Sequence, residues 1–208
     1  MNTISLLEAS QLGCIRQGKW IFPDVCFALR AGEILFVEGT NGAGKSSLLR
    51  LLAGVATPAT GKIFCNQQDI HDPCSEYAEQ LHYIGHTNGI RLGLTIAENL
   101  QLAGRLAQQP INKIDDVLTL LQLDKHQHTQ TQFLSAGQKR RAALAKLFLI
   151  SRALWILDEP FTALDTATQQ ILTTKIEEHA ANGGMCVMTS HQAVTFRHPI
   201  QHLRLMSC

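Results

Sequence analysis

The sequence predicts an α/β fold in which helices cover a mostly parallel core sheet. The chain contains three short, continuous apolar runs, at residues 34–37, 154–157 and 185–188. Strands of a parallel sheet are buried on both faces, so they lack the alternation of polar and apolar residues seen in half-exposed strands. The 208 residues are 45% hydrophobic and 17% charged, as in an ordinary globular domain with a substantial core.

A glycine-rich segment follows the first run and fits the pattern G-x-x-x-x-G-K-S without a mismatch. A strand precedes it and residues that favour a helix follow it, which is the context of a phosphate-binding loop and not of a turn that binds nothing. Lys45 is expected to reach the β- and γ-phosphates of a nucleotide, and the Ser46 hydroxyl to bind Mg²⁺. The predicted nucleotide-binding residues here are Gly39, Thr40, Asn41, Gly42, Ala43, Gly44, Lys45, Ser46 and Ser47.

The N-terminal part of the chain is expected to form an antiparallel β subdomain. Residues from about 5 to 27 alternate loosely between apolar and polar types, and Gly13 and Gly18 are candidate turn residues. A turn at residues 57–61 precedes a further short strand at residues 62–65.

An inserted α-helical subdomain is expected after a strand candidate at residues 81–84. A glycine-rich connector follows that strand, and Thr95 and Glu98 then form a predicted capping box at a helix start. Apolar residues recur at helical spacing over residues 112–123. The predicted parts are an α/β core of residues 1–86 and 152–208 and a helical insert of residues 87–151, within one domain of residues 1–208.

Ser135 is a candidate N-cap of the next helix, and three basic residues, Lys139, Arg140 and Arg141, follow in its first turns. Cations near a helix N-terminus oppose the helix dipole, so an anion that docks there would explain them. A basic face exposed to solvent would explain Arg140 and Arg141 equally well.

Two carboxylates are expected to share one edge of the sheet with the phosphate loop. Asp158 and Glu159 follow the second apolar run, and His191 comes soon after the third. Ligands of open parallel sheets bind where the strands end. One of these two carboxylates can hold Mg²⁺ through a water, while its neighbour, on the other side of the strand, can act as a base. A single histidine at a strand end is more often structural, but His191 is placed at the same edge.

Together these motifs resemble those of the ATP-binding cassette (ABC) ATPases, and they stand in the order of that family. Residues 134–138, with the sequence Leu-Ser-Ala-Gly-Gln, are the discriminating element, because other phosphate-loop enzymes lack it. The resemblance implies a P-loop NTPase fold of ABC ATPase type. It also implies a head-to-tail homodimer with ATP and Mg²⁺ bound between the subunits.

The resemblance also implies roles for individual residues. Lys45, Glu159 and His191 would be catalytic, with Glu159 polarising the attacking water and His191 holding the γ-phosphate. Residues of the partner subunit would complete each site, and Asp165 would couple the two sites. The residues expected to act in trans are Ser135, Ala136, Gly137, Gln138 and Asp165.

Two positions depart from the general pattern of the family. Most members have a glutamine that touches Mg²⁺ and the attacking water where this chain has His86. Imidazole is a poor ligand for a hard cation, so His86 is expected to act through a water or as a hydrogen-bond donor and to make hydrolysis sensitive to pH. The aromatic residue that usually stacks on adenine corresponds best to Arg16, with Trp20 as the alternative.

Smaller details resemble the ATP-binding subunits of the haem exporters of cytochrome c maturation. These details include His86 and the sequences of residues 134–141, 154–163 and 189–192. The resemblance implies hydrolysis that drives haem export, or release of a haem-loaded chaperone, with integral membrane subunits as partners. No direct haem binding is expected, because the chain has no C-x-x-C-H motif. The alternatives are an ATPase of another exporter or importer and a soluble ABC protein without a transport role.

Segment lengths and the resemblance together predict a peripheral location at the cytoplasmic face of the bacterial inner membrane. The longest apolar stretch, residues 142–157, contains Lys146 and Arg152 and is shorter than a membrane crossing. Residues 1–5 lack the basic and apolar parts of an export signal. The formal net charge of +1 gives no support to a nucleic-acid partner.

Overall fold

The computed structural model describes residues 4–192 and 194–206. The limits of the predicted domain at residues 1 and 208, and residues 1–3 of the segment searched for an export signal, lie outside this part. The strands are β1 (Leu6–Arg16), β2 (Lys19–Arg30), β3 (Ile34–Glu38), β4 (Thr60–Cys65), β5 (Gln68–Asp69), β6 (Leu81–Ile84), β7 (Leu154–Leu157), β8 (Met185–Met188) and β9 (Ile200–Arg204). The α-helices are α1 (Lys45–Leu52), α2 (Ile96–Leu106), α3 (Ile114–Leu120), α4 (Ala136–Leu144), α5 (Lys146–Leu149) and α6 (Thr166–Ala181).

The central sheet contains five strands in the order β6-β7-β8-β3-β9, and every neighbouring pair is parallel. All residues of β7 and β8 are buried. Burial on both faces removes the need for polar positions and explains the continuous apolar runs. The predicted α/β fold with a mostly parallel core sheet is therefore confirmed.

The edge strand β9 was not predicted from the sequence. It pairs with β3 from Ile200 opposite Ile34 to Arg204 opposite Glu38. None of its residues is fully buried, and polar residues occupy three of the positions of its Ile-Gln-His-Leu-Arg sequence. A half-exposed edge strand with mixed residue types carries little periodic signal, which explains the omission.

A second sheet is antiparallel, with the order β2-β1-β4-β5, and forms the N-terminal β subdomain. The turn between β1 and β2 lies at Gln17 and Gly18, whose φ angles are 52° and 73°. Such positive angles are typical of two-residue hairpin turns. The expected turn at Gly13 is wrong, because Gly13 lies inside β1, where the pairing is irregular.

Four α-helices, α2 to α5, lie between β6 and β7 in the chain. The capping box before α2 is confirmed, since Thr95 Oγ1 accepts the Glu98 N–H at 3.2 Å and the Glu98 carboxylate accepts the Thr95 N–H at 2.8 Å. Within residues 4–192 and 194–206, no helix combines the length and the apolar character needed to span a membrane. The helices bury a separate apolar cluster of Ile96, Leu100, Val117, Leu118, Leu121, Leu123, Leu134, Ala142 and Ala145.

The carboxyl ends of the parallel strands meet at one edge of the central sheet, which we call the carboxyl edge. β3 leads there into the phosphate loop, β7 into Asp158, and β8 into Thr189. Parallel neighbours must end on the same side, so segments that are far apart in sequence become neighbours.

Two partly buried histidines pack beside the central sheet. His82 Nε2 lies 3.0 Å from the Ile150 carbonyl oxygen, and His179 Nε2 lies 3.2 Å from the Met185 carbonyl oxygen. The His179 ring also stacks on Trp155, with the ring centroids 3.9 Å apart. Burial disfavours the charged imidazole and lowers the pKa of each histidine from 6.5 to about 4.

These two pKa values predict a loss of stability on acidification. Between pH 6.5 and pH 4 the unfolded chain binds protons on both histidines that the folded chain excludes, so the free energy of unfolding falls as the pH falls through this window. Linkage gives a loss of about 2 kcal/mol per histidine between pH 7.5 and pH 5.

Urea unfolding of wild type and His82→Gln at both pH values measures this effect. The variant should lose about 2 kcal/mol less stability than wild type on acidification. His71→Gln, at an exposed position, controls for the removal of a histidine. Equal losses in wild type and His82→Gln would contradict the assignment.

Candidate functional site

The phosphate loop turns sharply on glycines between β3 and α1. Gly42 and Gly44 have φ angles of 87° and 95°, in the left-handed region that favours glycine. A Cβ on Gly44 would also lie 2.4 Å from Ile21 Cγ2 and 2.9 Å from Phe22 Cδ1. Both backbone conformation and space therefore require glycine at this position, and the β subdomain packs directly against the loop.

Lys45 is the first residue of α1, and its side chain folds back over the loop. It is only 8% exposed, and its Nζ donates to the carbonyl oxygens of Gly39 at 2.7 Å and Thr40 at 3.2 Å. A positive charge beside loop amides at a helix N-terminus is suited to phosphate binding. Ser46 is exposed at this helix start, and Ser47 is partly buried.

Thr189, which follows β8, holds the two acidic residues that follow β7. Its Oγ1 donates to Asp158 Oδ1 at 2.9 Å and accepts the Glu159 N–H at 3.0 Å. Asp158 is only 2% exposed, so this hydrogen bond satisfies part of a buried carboxylate. Sequence reasoning did not assign this role to Thr189, although a polar residue at the end of a buried run is a usable signal.

Glu159 adopts an unfavourable backbone conformation at the carboxyl edge, with a φ angle of 50°. Its Oε1 lies 2.8 Å from His191 Nε2, and its Oε2 accepts the Thr162 hydroxyl at 3.2 Å. The structure thus brings the predicted base and the predicted strand-end histidine into contact. Thr162 is a further neighbour that the sequence did not indicate. Backbone strain of this kind is concentrated at functional sites.

Arg140 does not belong to a basic face exposed to solvent, so that alternative is wrong for this residue. The side chain is only 5% exposed, whereas Arg141 is partly buried and donates to the Leu121 carbonyl at 3.1 Å. A buried guanidinium requires many acceptors, because an uncompensated charge in the interior is costly. The Arg140 guanidinium donates to the carbonyl oxygens of Gly85 (3.0 Å), Asp158 (2.6 Å), Glu159 (2.8 Å) and Pro160 (3.4 Å) and to Asn88 Oδ1 (3.0 Å).

Residues 134–138 form the start of α4, with Ser135 as the N-cap. Ser135 Oγ accepts the Gln138 N–H at 3.2 Å, and Gln138 Oε1 accepts the Ser135 N–H at 2.8 Å, so the predicted cap is confirmed. The Gln138 amide nitrogen also lies 2.8 Å from His126 Nε2. Ser135 and Ala136 are exposed, which leaves the helix N-terminus accessible.

Asp165 caps α6 within its own chain. Its Oδ1 accepts the Thr168 N–H at 2.8 Å, and this hydrogen bond lowers the pKa of the carboxyl. The segment just before it packs on α4, since a Cβ on Gly137 would lie 2.7 Å from the Ala163 carbonyl oxygen. The start of α4 and the start of α6 are therefore neighbours.

His86 and the two candidates for the adenine contact, Arg16 and Trp20, lie at the surface. Arg16 and Trp20 are exposed near the hairpin that joins β1 and β2, and His86 is exposed after β6. The Trp20 ring covers Gly13, because a Cβ there would lie 2.7 Å from Trp20 Cζ3. Arg16 pairs with Lys19 in the strand register at the tip of the same hairpin.

The chain is similar to known proteins over nearly its whole length. A family model described as ABC transporter matches residues 22–162. The cytochrome c biogenesis ATP-binding export protein CcmA 1 of Cupriavidus metallidurans is 41% identical over 197 residues, which cover 94% of this chain and 95% of that protein.

Solved structures agree in fold. The ATP-binding subunit of an ABC transporter has a TM-score of 0.84 at 28% identity, covering 97% of this chain and 86% of its own. A dimeric, post-hydrolysis ATP-binding cassette with ADP and phosphate bound has a TM-score of 0.82 at 18% identity, covering 96% of this chain and 94% of its own.

The matched residues 22–162 include the phosphate loop, residues 134–138 and the Asp158–Glu159 pair. Proteins of this family hydrolyse ATP in the context of a transporter, and the chain is accordingly a nucleotide-binding ATPase. The chain belongs to the ABC transporter family of ATP-binding proteins and, within it, to the cytochrome c biogenesis ATP-binding export proteins.

Proposed function

We propose that the chain hydrolyses ATP at the carboxyl edge of its parallel sheet and that this reaction drives haem export in cytochrome c maturation. The observation that supports the site of hydrolysis is the 2.8 Å contact between Glu159 Oε1 and His191 Nε2, at the edge where the Lys45 loop also lies. The identity of 41% to a cytochrome c biogenesis ATP-binding export protein supports the transport role.

In the proposed reaction a water attacks the γ-phosphorus of ATP, and the bond to the oxygen that bridges the β- and γ-phosphates breaks. Lys45 and the backbone amides of residues 39–47 hold the phosphates and stabilise their charge. Glu159 acts as the base: it accepts a hydrogen bond and then a proton from the attacking water, ADP leaves with the bridging oxygen, and the proton is released with the phosphate. His191 exchanges its contact with Glu159 for a hydrogen bond to the γ-phosphate.

The oxygen donors at the carboxyl edge fit Mg²⁺. Ser46 offers an exposed hydroxyl at the start of α1, and Asp158 offers a carboxylate. Mg²⁺ prefers oxygen ligands and usually keeps several waters and substrate phosphates among them. Ser46 would bind the ion directly, while Asp158 and His86 would act through waters. When bound, Mg²⁺ supplies positive charge that neutralises the phosphates.

A partner protomer in a head-to-tail homodimer would complete each site. The exposed N-terminus of α4 carries free N–H groups that attract anions, and a single triphosphate does not need two such helix starts from one chain. The similar fold of a dimeric cassette with ADP and phosphate bound supports this arrangement. Asp165 would couple the two sites, and the residues that contact the partner's ATP would be Ser135, Ala136, Gly137 and Gln138.

Arg16 is the better candidate for the contact with adenine. The Trp20 ring is already packed over Gly13, whereas Arg16 is exposed at the hairpin tip. A guanidinium plane can lie flat on a purine ring.

The ATPase would work at the cytoplasmic face of the inner membrane, held there by integral membrane subunits. The predicted helical subdomain, residues 87–151, would dock on them. Leu92 and Phe133 in this part are 54% and 75% exposed, and the Gln132 N–H donates to the Leu92 carbonyl at 3.0 Å, which holds the two apolar residues close together. An exposed apolar pair is suited to a protein partner. The chain itself would contact neither haem nor nucleic acid.

Substitution of the base should separate binding from hydrolysis. Glu159→Gln should lower the rate of ATP hydrolysis about a hundredfold or more and trap an ATP-bound dimer, because the phosphate contacts remain. Lys45→Ala should instead weaken ATP binding at least about tenfold, or about 1.4 kcal/mol. Phosphate release measures the hydrolysis rate, size-exclusion chromatography with ATP detects the trapped dimer, and equilibrium titration with ATP measures the binding. A Glu159→Gln protein that stays monomeric with saturating ATP would contradict the dimer.

The position of His86 predicts an effect on the Mg²⁺ requirement. His86→Gln supplies an amide oxygen, a harder ligand than imidazole, so the Mg²⁺ concentration for half-maximal hydrolysis should fall. Titration of ATPase activity with Mg²⁺ at fixed ATP tests this, with His71→Gln as an exposed histidine control. If the Mg²⁺ concentration for half-maximal hydrolysis were unchanged, His86 would not act near the ion.

The transport role can be tested in a bacterium that lacks its own ATPase subunit of this group. Wild-type chain should restore holocytochrome c, measured by haem staining, and should sediment with membranes only when the integral partners are present. Glu159→Gln should sediment in the same way without restoring holocytochrome c. Full ATPase activity without any restoration would reject the haem-related role.

A further inference from the structure

Arg140 connects three parts of the molecule that the proposed mechanism uses separately. It lies on α4, whose N-cap is Ser135, and its guanidinium reaches the carbonyls of residues 158–160 at the carboxyl edge. The same guanidinium donates to the Gly85 carbonyl and to Asn88 Oδ1, on either side of His86. Few side chains could link segments that far apart in the chain, and only arginine has five N–H groups to do so.

The contacts converge on the strained residue of the site. Glu159 has a φ angle of 50°, and three consecutive carbonyls, its own and those of its two neighbours, accept hydrogen bonds from Arg140. On the other side, the Glu159 N–H donates to Thr189 Oγ1. Conformations of this kind persist only when the surroundings hold them. Without Arg140, the backbone could relax and the Glu159 carboxylate would move.

The chemistry of these contacts requires arginine. The acceptors within hydrogen-bond distance are backbone and amide oxygens, and the side chain is 5% exposed. Burial lowers the pKa of Arg140, while the charges of Asp158 and Glu159 act in the opposite direction. The rigid planar fork addresses several acceptors at once, whereas a lysine ammonium would reach only some of them.

We propose that Arg140 is a positioning residue for ATP hydrolysis, which holds the Glu159 backbone so that its carboxylate meets the attacking water. The inference rests on the proposed role of Glu159 as the base. It also implies that the helix carrying Ser135, which serves the partner's ATP, is mechanically joined to the base that serves the chain's own ATP. A movement of the helical subdomain would therefore displace Glu159 through the Arg140 side chain.

A double-mutant cycle between Arg140→Gln and Glu159→Gln tests the proposal, with single-turnover hydrolysis of radiolabelled ATP to measure low rates. Arg140→Gln should lower the rate constant about tenfold or more in the wild-type background, because small displacements of a catalytic group are costly. In the Glu159→Gln background it should have less than about a twofold effect, since no base remains to be positioned. The dissociation constant for ATP should stay within about twofold.

Arg141→Gln is the matched control, because Arg141 lies next to Arg140 on α4 but donates to Leu121. In each background, wild type or Glu159→Gln, the addition of Arg141→Gln should change the rate constant by less than about twofold. If Arg140→Gln shows no cooperative thermal unfolding, Arg140→Lys replaces it in the cycle, with an expected loss of about threefold. The proposal would be overturned if Arg140→Gln lowered the rate constant equally in the wild-type and Glu159→Gln backgrounds. It would also be overturned if Arg140→Gln left the rate of the wild-type background unchanged. Full activity of Glu159→Gln alone would instead reject the proposed base.

Discussion

Parallel pairing of the central strands determines where the functional residues of this protein meet. Ile34 lies opposite Cys186 and Leu154 opposite Met185, so β3, β7 and β8 run side by side in one direction. All of them must then end at the carboxyl edge, and whatever follows them in the chain is brought together there. The sheet brings the phosphate loop, the acidic pair and His191 to one edge, and the contact between Glu159 and His191 forms there. The continuous apolar runs at residues 34–37, 154–157 and 185–188 are therefore a requirement of the site as much as of the core.

Backbone contacts fix the geometry of this site more than contacts between charged side chains do. Lys45 donates to loop carbonyls, Thr189 holds the Glu159 amide, and Arg140 holds the carbonyls of residues 158–160. Backbone carbonyls have no rotamers, so their positions are set by the fold. A donor that binds carbonyls of different segments therefore fixes the positions of these segments relative to each other. This explains why a buried arginine with neutral acceptors is found beside the acidic pair. The strain at Glu159 is retained because both of its flanking peptide groups are held.

The segment after β6 links the helices between β6 and β7 to the carboxyl edge through hydrogen bonds. Besides the contacts of Gly85 and Asn88 with Arg140, the Gly89 carbonyl accepts Lys146 Nζ at 3.2 Å, and the Arg91 N–H donates to Asn99 Oδ1 at 2.7 Å. Each of these partners lies on a helix between β6 and β7. The segment is therefore held to the helices by side-chain hydrogen bonds on both sides of His86.

The features that depend only on neighbouring residues could be predicted from the sequence. The phosphate loop, the three buried strands, and the caps at Thr95 and Ser135 are local patterns, because glycine conformation, strand burial and helix capping are decided within a few positions. The family motifs also indicated the acidic pair and His191. Packing between distant segments accounts for three further features: Arg140 is buried while Arg141 reaches the Leu121 carbonyl, Thr189 bridges Asp158 and Glu159, and residues 200–204 form an edge strand. Each of these depends on partners far away in the chain, and no short-range pattern records which distant carbonyl a side chain will meet.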